Sequence, residues 1–243
     1  MIVRVSVLVA VACVPFVPTV DANAQPLDSR SVRVGVTTIM KDHVSGLAWI
    51  AMVEECRRIW LAERVSITWD ARSPGGAHHD VQIPVVFDDR ELRKRAPAHA
   101  DAFGVTVFSG QNQRVVVSEA RVRQWVSNRV RGRVEDAGNS MVLDGAVGRV
   151  LGRVLAHELG HVLLRSTSHA DTGLMSASLQ THDLAPSNRA SDTLSASERA
   201  YIAIRFDNSG GRPPRRDLPA PVQARGGEPG GRAVVPIMLR DAP

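Results

Sequence analysis

The sequence predicts an α/β fold, and three stretches carry that expectation. Residues 31–39 (SVRVGVTTI) alternate and are rich in β-branched side chains, as a strand requires. Residues 44–62 place Leu47, Ile50, Met52, Val53, Cys56, Ile59 and Trp60 at mixed three- and four-residue spacing, which makes an amphipathic helix. Residues 64–69 (RVSITW) return to strand character. Strand, helix and strand in succession form the basic unit of α/β architecture.

The later elements follow the same rules. Residues 81–87 (VQIPVVF) read as a strand, with Pro84 predicting an edge position or a bulge. The charged segment 88–101 is a loop or short helix. Residues 103–108 and 113–117 are two strands around the polar turn Ser109-Gly110-Gln111-Asn112, a hairpin. Residues 119–131 are helical, and Arg121, Arg123, Arg129 and Arg131 are expected on a solvated face. A long helix over 140–164 carries Val147, Val150, Leu151, Val154, Leu155, Val162 and Leu163 in helical period. A last helix, 195–205, opens with Ser195 and Glu198 spaced as a capping box.

Composition excludes several classes of protein. The chain has 243 residues, 44% of them hydrophobic, so it is neither wholly disordered nor polytopic. Two cysteines, Cys13 and Cys56, exclude a disulfide scaffold. Aromatics are 4%, so the core must rest on Val, Leu, Ile and Ala. The net charge of +5 comes with no clustering of basic and aromatic residues, and nucleic acid is not expected as a partner.

Both ends differ from the middle. Arg4, the 13-residue apolar run Val5 to Val17 and the small-residue site Ala22-Asn23-Ala24 have the three-part form of a secretory signal peptide. The run is shorter than the roughly 20 residues that span a bilayer. Residues 1–24 are therefore assigned to a signal peptide, with a secreted or periplasmic product; lipidation at Cys13 ranks second. Cleavage there would leave Cys56 as the sole cysteine, a buried small hydrophobe in its helix. Residues 207–243 form a Gly/Pro/Arg-rich tail expected to be disordered. Within it, 233–239 (AVVPIML) is apolar enough to dock back on the domain.

The chemistry lies in His157-Glu158-Leu159-Gly160-His161. Side chains four apart share a helix face, so both imidazoles can approach one metal ion. Glu158 is rotated from both and is placed to act as a base on water. H-E-x-x-H on a helix is the signature of zinc metalloproteases. A catalytic zinc takes three protein ligands and keeps one position open. His169, past the polar turn 165–168, is the first choice for the third. Asp171 comes next, then Glu198, then His182 and Asp183.

With Gly173-Leu174-Met175 downstream, the chain resembles the metzincin clan of zinc endopeptidases over roughly 31–206. His157, Glu158 and His161 match that clan's motif, and Gly173-Leu174-Met175 is similar to its methionine turn. Leu164 stands at the motif's glycine and Thr167 at its third histidine, so His169 is displaced by two residues. Ala177 occupies the place of the tyrosine some members use. The resemblance implies a zincin-like catalytic domain over 25–206, with a twisted, mostly parallel sheet, an edge hairpin, an active-site helix and a C-terminal helix. It implies Zn2+ held by His157, His161 and His169, with Glu158 as general base in peptide-bond hydrolysis. An extended peptide or protein substrate is expected to add to the edge of strand 103–108 or 113–117. No membrane span and a monomeric state are expected. The alternative is a secreted zinc-binding or surface-interaction protein with this fold and no peptidase activity.

Overall fold

The computed structural model describes residues 31–70, 78–99, 101–109, 112–130, 140–179, 192–207 and 234–239. The proposed signal peptide, the loop 73–76, Arg131, His182, Asp183 and the Gly/Pro/Arg-rich stretch lie outside these residues. Among the described residues, no helix is long and apolar enough to cross a membrane.

β1 (Val32–Met40), α1 (Gly46–Ala62) and β2 (Val65–Trp69) form a parallel β–α–β unit, with Val34 opposite Ile67. β3 (Val81–Phe87) joins the other side of β1 in parallel. α2 (Asp89–Arg95) leads to the hairpin of β4 (Ala102–Ser109) and β5 (Asn112–Val117). β5, rather than β4, continues the parallel sheet by pairing with β3. Then come α3 (Glu119–Val130), α4 (Ser140–Leu164), β6 (Ser178–Leu179), α5 (Ala196–Phe206) and β7 (Val234–Leu239). The sheet order is β2-β1-β3-β5-β4-β7-β6.

Strand alternation sorts side chains between two cores. Val85, Phe87, Val115 and Val117 face a large core with α1 and α4, which contribute Met52, Trp60, Leu151 and Leu155. Val86, Val105, Val107 and Val116 face the other way, against Leu92 of α2. α1 starts at Ser45, whose side chain accepts from Ala48 N at 3.2 Å. Cys56 is fully buried in α1, and burial pushes its thiol pKa up.

α1 and α4 touch almost backbone to backbone. A Cβ on Gly152 would fall 2.7 Å from Glu55 Cβ and 2.8 Å from Met52 O, so this crossing has no room for a methyl group. Gly152→Ala should therefore cost about 1–3 kcal/mol through overpacking, although alanine favours helix elsewhere. Chemical denaturation would read this as a lower midpoint at unchanged slope.

The structure corrects three expectations. Pro84 is in an internal strand, but β3 pairs with β5 only from Val85 onward. Pro84 therefore sits where that side of β3 has no strand partner. The hairpin is not the sheet edge, because β7 lies antiparallel on β4 and β6 lies parallel on β7. With β5 on its other side, β4 has no side open to a substrate, and β5 is itself flanked by β3 and β4. The third correction concerns only the extent of the tail: its apolar segment docks on the domain, as its composition allows, and Val234–Leu239 is a strand of this sheet. The arginines of α3 are also more engaged than a solvated face suggests. Arg121 holds Asp89 at 2.8 Å, Arg123 holds Asp144 at 2.7 Å, and Arg129 lies 3.7 Å over Trp125.

Candidate metal centre

α4 runs unbroken from Ser140 to Leu164 and carries His157, Glu158 and His161, all closed to solvent. It ends at Arg165, which takes the left-handed conformation (φ 49°) normally left to glycine. Ser166 N returns to His161 O at 3.2 Å to close the last turn. Arg205 of α5 donates to the carbonyls of Val162 and Leu163 at 3.0 and 2.5 Å. The chain then folds back beneath the helix and brings His169 to the two helical histidines. The three rings lie with centroids 4.6, 5.2 and 5.0 Å apart. One nitrogen from each falls within 4.8 Å of the others.

The tautomers follow from the backbone. His157 Nδ1 lies 2.8 Å from Leu174 O, and His161 Nδ1 lies 2.8 Å from Ser166 O. A carbonyl only accepts, so both Nδ1 atoms carry the hydrogen and both Nε2 atoms present lone pairs. Those two Nε2 atoms are 2.9 Å apart. Two lone pairs at that distance repel unless a cation lies beside both. His169 Nε2 is also buried with no hydrogen-bond partner. A three-imidazole donor set of this kind fits a divalent transition metal.

Met175 packs against the helix at Gly160. It is 1% exposed, and its sulfur would lie 2.4 Å from a Cβ built on Gly160. The turn before it uses Gly173 at φ +83°, where Thr193 O approaches a Cβ position at 2.6 Å. Leu174 N donates to the same Thr193 O at 2.9 Å, and Ala170 N donates to Met175 O at 2.8 Å. Asp192, next to Thr193, is held at 2.7 Å by buried Arg153 of α4 and at 2.5 Å by Arg58 of α1. The turn that orients His157 is thus tied to both helices.

Glu158 is held from the sheet. The Thr106 hydroxyl on β4 lies 2.6 Å from Glu158 Oε2 and 2.9 Å from Glu158 O, and it donates its hydrogen to this pair. Gly104, two residues earlier on the same strand, leaves room for the carboxylate, since a Cβ there would fall 3.2 Å from Glu158 Oε1. Sequence reasoning named neither Thr106 nor Gly104. The available signals were a glycine and a threonine inside an otherwise apolar strand.

The other nominated ligands among the described residues are elsewhere. Asp171 is exposed and outside the cluster, and Glu198 completes the capping box by accepting from Ser195 N at 2.7 Å. The pair His78-His79 lies outside the cluster and precedes Asp80, which accepts from Arg33 N at 2.8 Å. No protein-family profile matches this chain, and no curated protein or solved structure is similar to it.

Burial disfavours charge on the cluster. Desolvation, then His161 and His169, holds the His157 pKa well below the usual 6.5. Desolvation and then His169 bring His161 down to about 3. An unfolded histidine takes its proton near pH 6.5, so the metal-free fold has its full stability above that value. That stability should decline as the pH falls from 6.5 toward 3. Thermal unfolding of chelator-treated protein should show a melting temperature falling across this window, with a shallower slope in His161→Phe.

Proposed function

We propose that this protein is a zinc-dependent metallopeptidase of metzincin-like type. The observation that carries the reading is the pair of facing lone pairs on His157 and His161 with His169 beside them, one helical residue from Glu158. His157, His161 and His169 would hold the ion. Zinc at such a centre supplies Lewis acidity, polarising a carbonyl and acidifying water.

The remaining steps belong to the chain. Thr106 fixes the Glu158 carboxylate in one orientation. Glu158 takes a proton from the attacking water while the water oxygen bonds to the acyl carbon. It then delivers that proton to the amide nitrogen as the C–N bond breaks, so an acid and an amine are released. The backbone carbonyls of Leu174 and Ser166 hold the imidazole tautomers throughout. The signal-like N-terminus supports work outside the cytoplasm.

Digestion of a mixed peptide library by wild type and Glu158→Ala, with zinc measured in both, tests the reading. Cleavage by wild type alone, with zinc in both, is the expected result. Zinc in both with cleavage by neither would favour the zinc-binding alternative. No zinc in either would overturn the metal centre.

A further inference from the structure

β7 occupies a distinctive place in the sheet. Its register sets Ile237 opposite Gly104 and Val235 opposite Thr106, the two β4 residues that touch Glu158. On its far side, Met238 and Leu239 pair with Ser178 and Leu179, which follow Met175 by three and four residues. β7 therefore runs between the two segments that frame the metal centre, and parts of it come within 8 Å of α4, Cα to Cα. With β7 in place, His157, Glu158 and His161 have no solvent exposure.

We infer that β7 is an internal occupant of the peptide groove. The segment 234–239 takes the place of an extended apolar peptide, and the groove accepts a substrate when β7 leaves. The regulatory consequence rests on the peptidase reading; binding of an extended peptide does not.

Three features make the occupancy reversible. β6 pairs with β7 over only two residues. Pro236 has no N–H to give to either neighbour. The 27 residues between α5 and β7 (207–233) include 16 that are Gly, Pro or Arg, so that connection supplies little apolar surface to hold β7 down. A strand added to an exposed edge is a general mode of peptide capture, in which backbone bonds give affinity and side chains give preference. The sequence of β7, VVPIML, then indicates the ligand class: an extended segment of aliphatic residues.

The test uses the full chain. Val235→Pro/Ile237→Pro removes two more β7 N–H groups. A fluorescent peptide, Ala-Val-Val-Pro-Ile-Met-Leu, should bind this variant about 10-fold more tightly than wild type. If β7 closes the groove in nine of ten molecules, library peptides should show an apparent KM about 10-fold lower in the variant. A cysteine pair at the opposed positions Val107 and Val234 supplies the converse. Oxidised, it should neither bind the peptide nor cleave, and reduction should restore wild-type behaviour. Failure of the folded proline variant to bind the peptide overturns the inference. Loss of folding or zinc in that variant also overturns it, since β7 would then be a permanent part of the sheet. Peptide binding without cleavage keeps the groove and removes the peptidase reading. Equal cleavage by both proteins with no peptide binding does the reverse.

Discussion

If the metallopeptidase reading holds, Glu158→Gln should lower kcat/KM for peptide hydrolysis by about 10²–10⁴-fold and leave the zinc content unchanged, the span expected for removal of a general base. That loss corresponds to about 3–5 kcal/mol of transition-state stabilisation. The substitution is nearly isosteric and keeps an oxygen for the Thr106 hydroxyl, which lies 2.6 Å from Oε2 in the wild type. The fold should therefore hold while the amide is unable to accept a proton. Steady-state kinetics beside metal analysis separates the two effects. Retained activity in a zinc-loaded Glu158→Gln protein would remove Glu158 from the chemistry.

On the same reading, His169→Ala should weaken zinc binding by more than the roughly 10–100-fold typical of a lost outer-shell partner, because it would remove a direct ligand. The two helical histidines remain, and two nitrogens alone make a poor site for an ion that prefers four ligands. Asp171→Ala should leave the affinity within about twofold, since an exposed side chain outside the cluster has no ligand to remove. Competition against a chromophoric chelator measures both variants. Equal affinities for His169→Ala and wild type would move the third ligand elsewhere.

Much of this site was legible because its core is local. His157, Glu158 and His161 lie within one and a half turns, so helical period alone decides that the imidazoles share a face. The capping box at Ser195 and Glu198 was legible for the same reason, since all its partners lie within three residues. His169 needed more. Helix α4 continues to Leu164, and the turn is made by Arg165 in a left-handed conformation, one residue beyond where the resemblance places a glycine. The longer helix accompanies the two-residue displacement of His169.

The non-local contributions were not legible. Glu158 and Thr106 are 52 residues apart, and a threonine in a strand carries no mark of the carboxylate it will meet. Nothing in the sequence marks Arg153, Arg58 and Asp192, yet they form a network behind the Gly173-Leu174-Met175 turn, with Arg153 and Asp192 buried.

By itself the sequence determined the α/β class, the bounds of β1 to β5, α1 and α3 to α5 to within a few residues, and the helical histidines and glutamate, but neither β6 nor β7 as strands. Those properties follow from hydrophobic period and from contacts that close within a turn or two. Tertiary structure alone decided which strands are neighbours, which carbonyls set the imidazole tautomers, and what lies on the edge of β4. Every strand presents the same backbone donors and acceptors with the same period of two, so pairing is chosen by packing across the whole sheet. That choice places the C-terminal strand against the residues that hold Glu158.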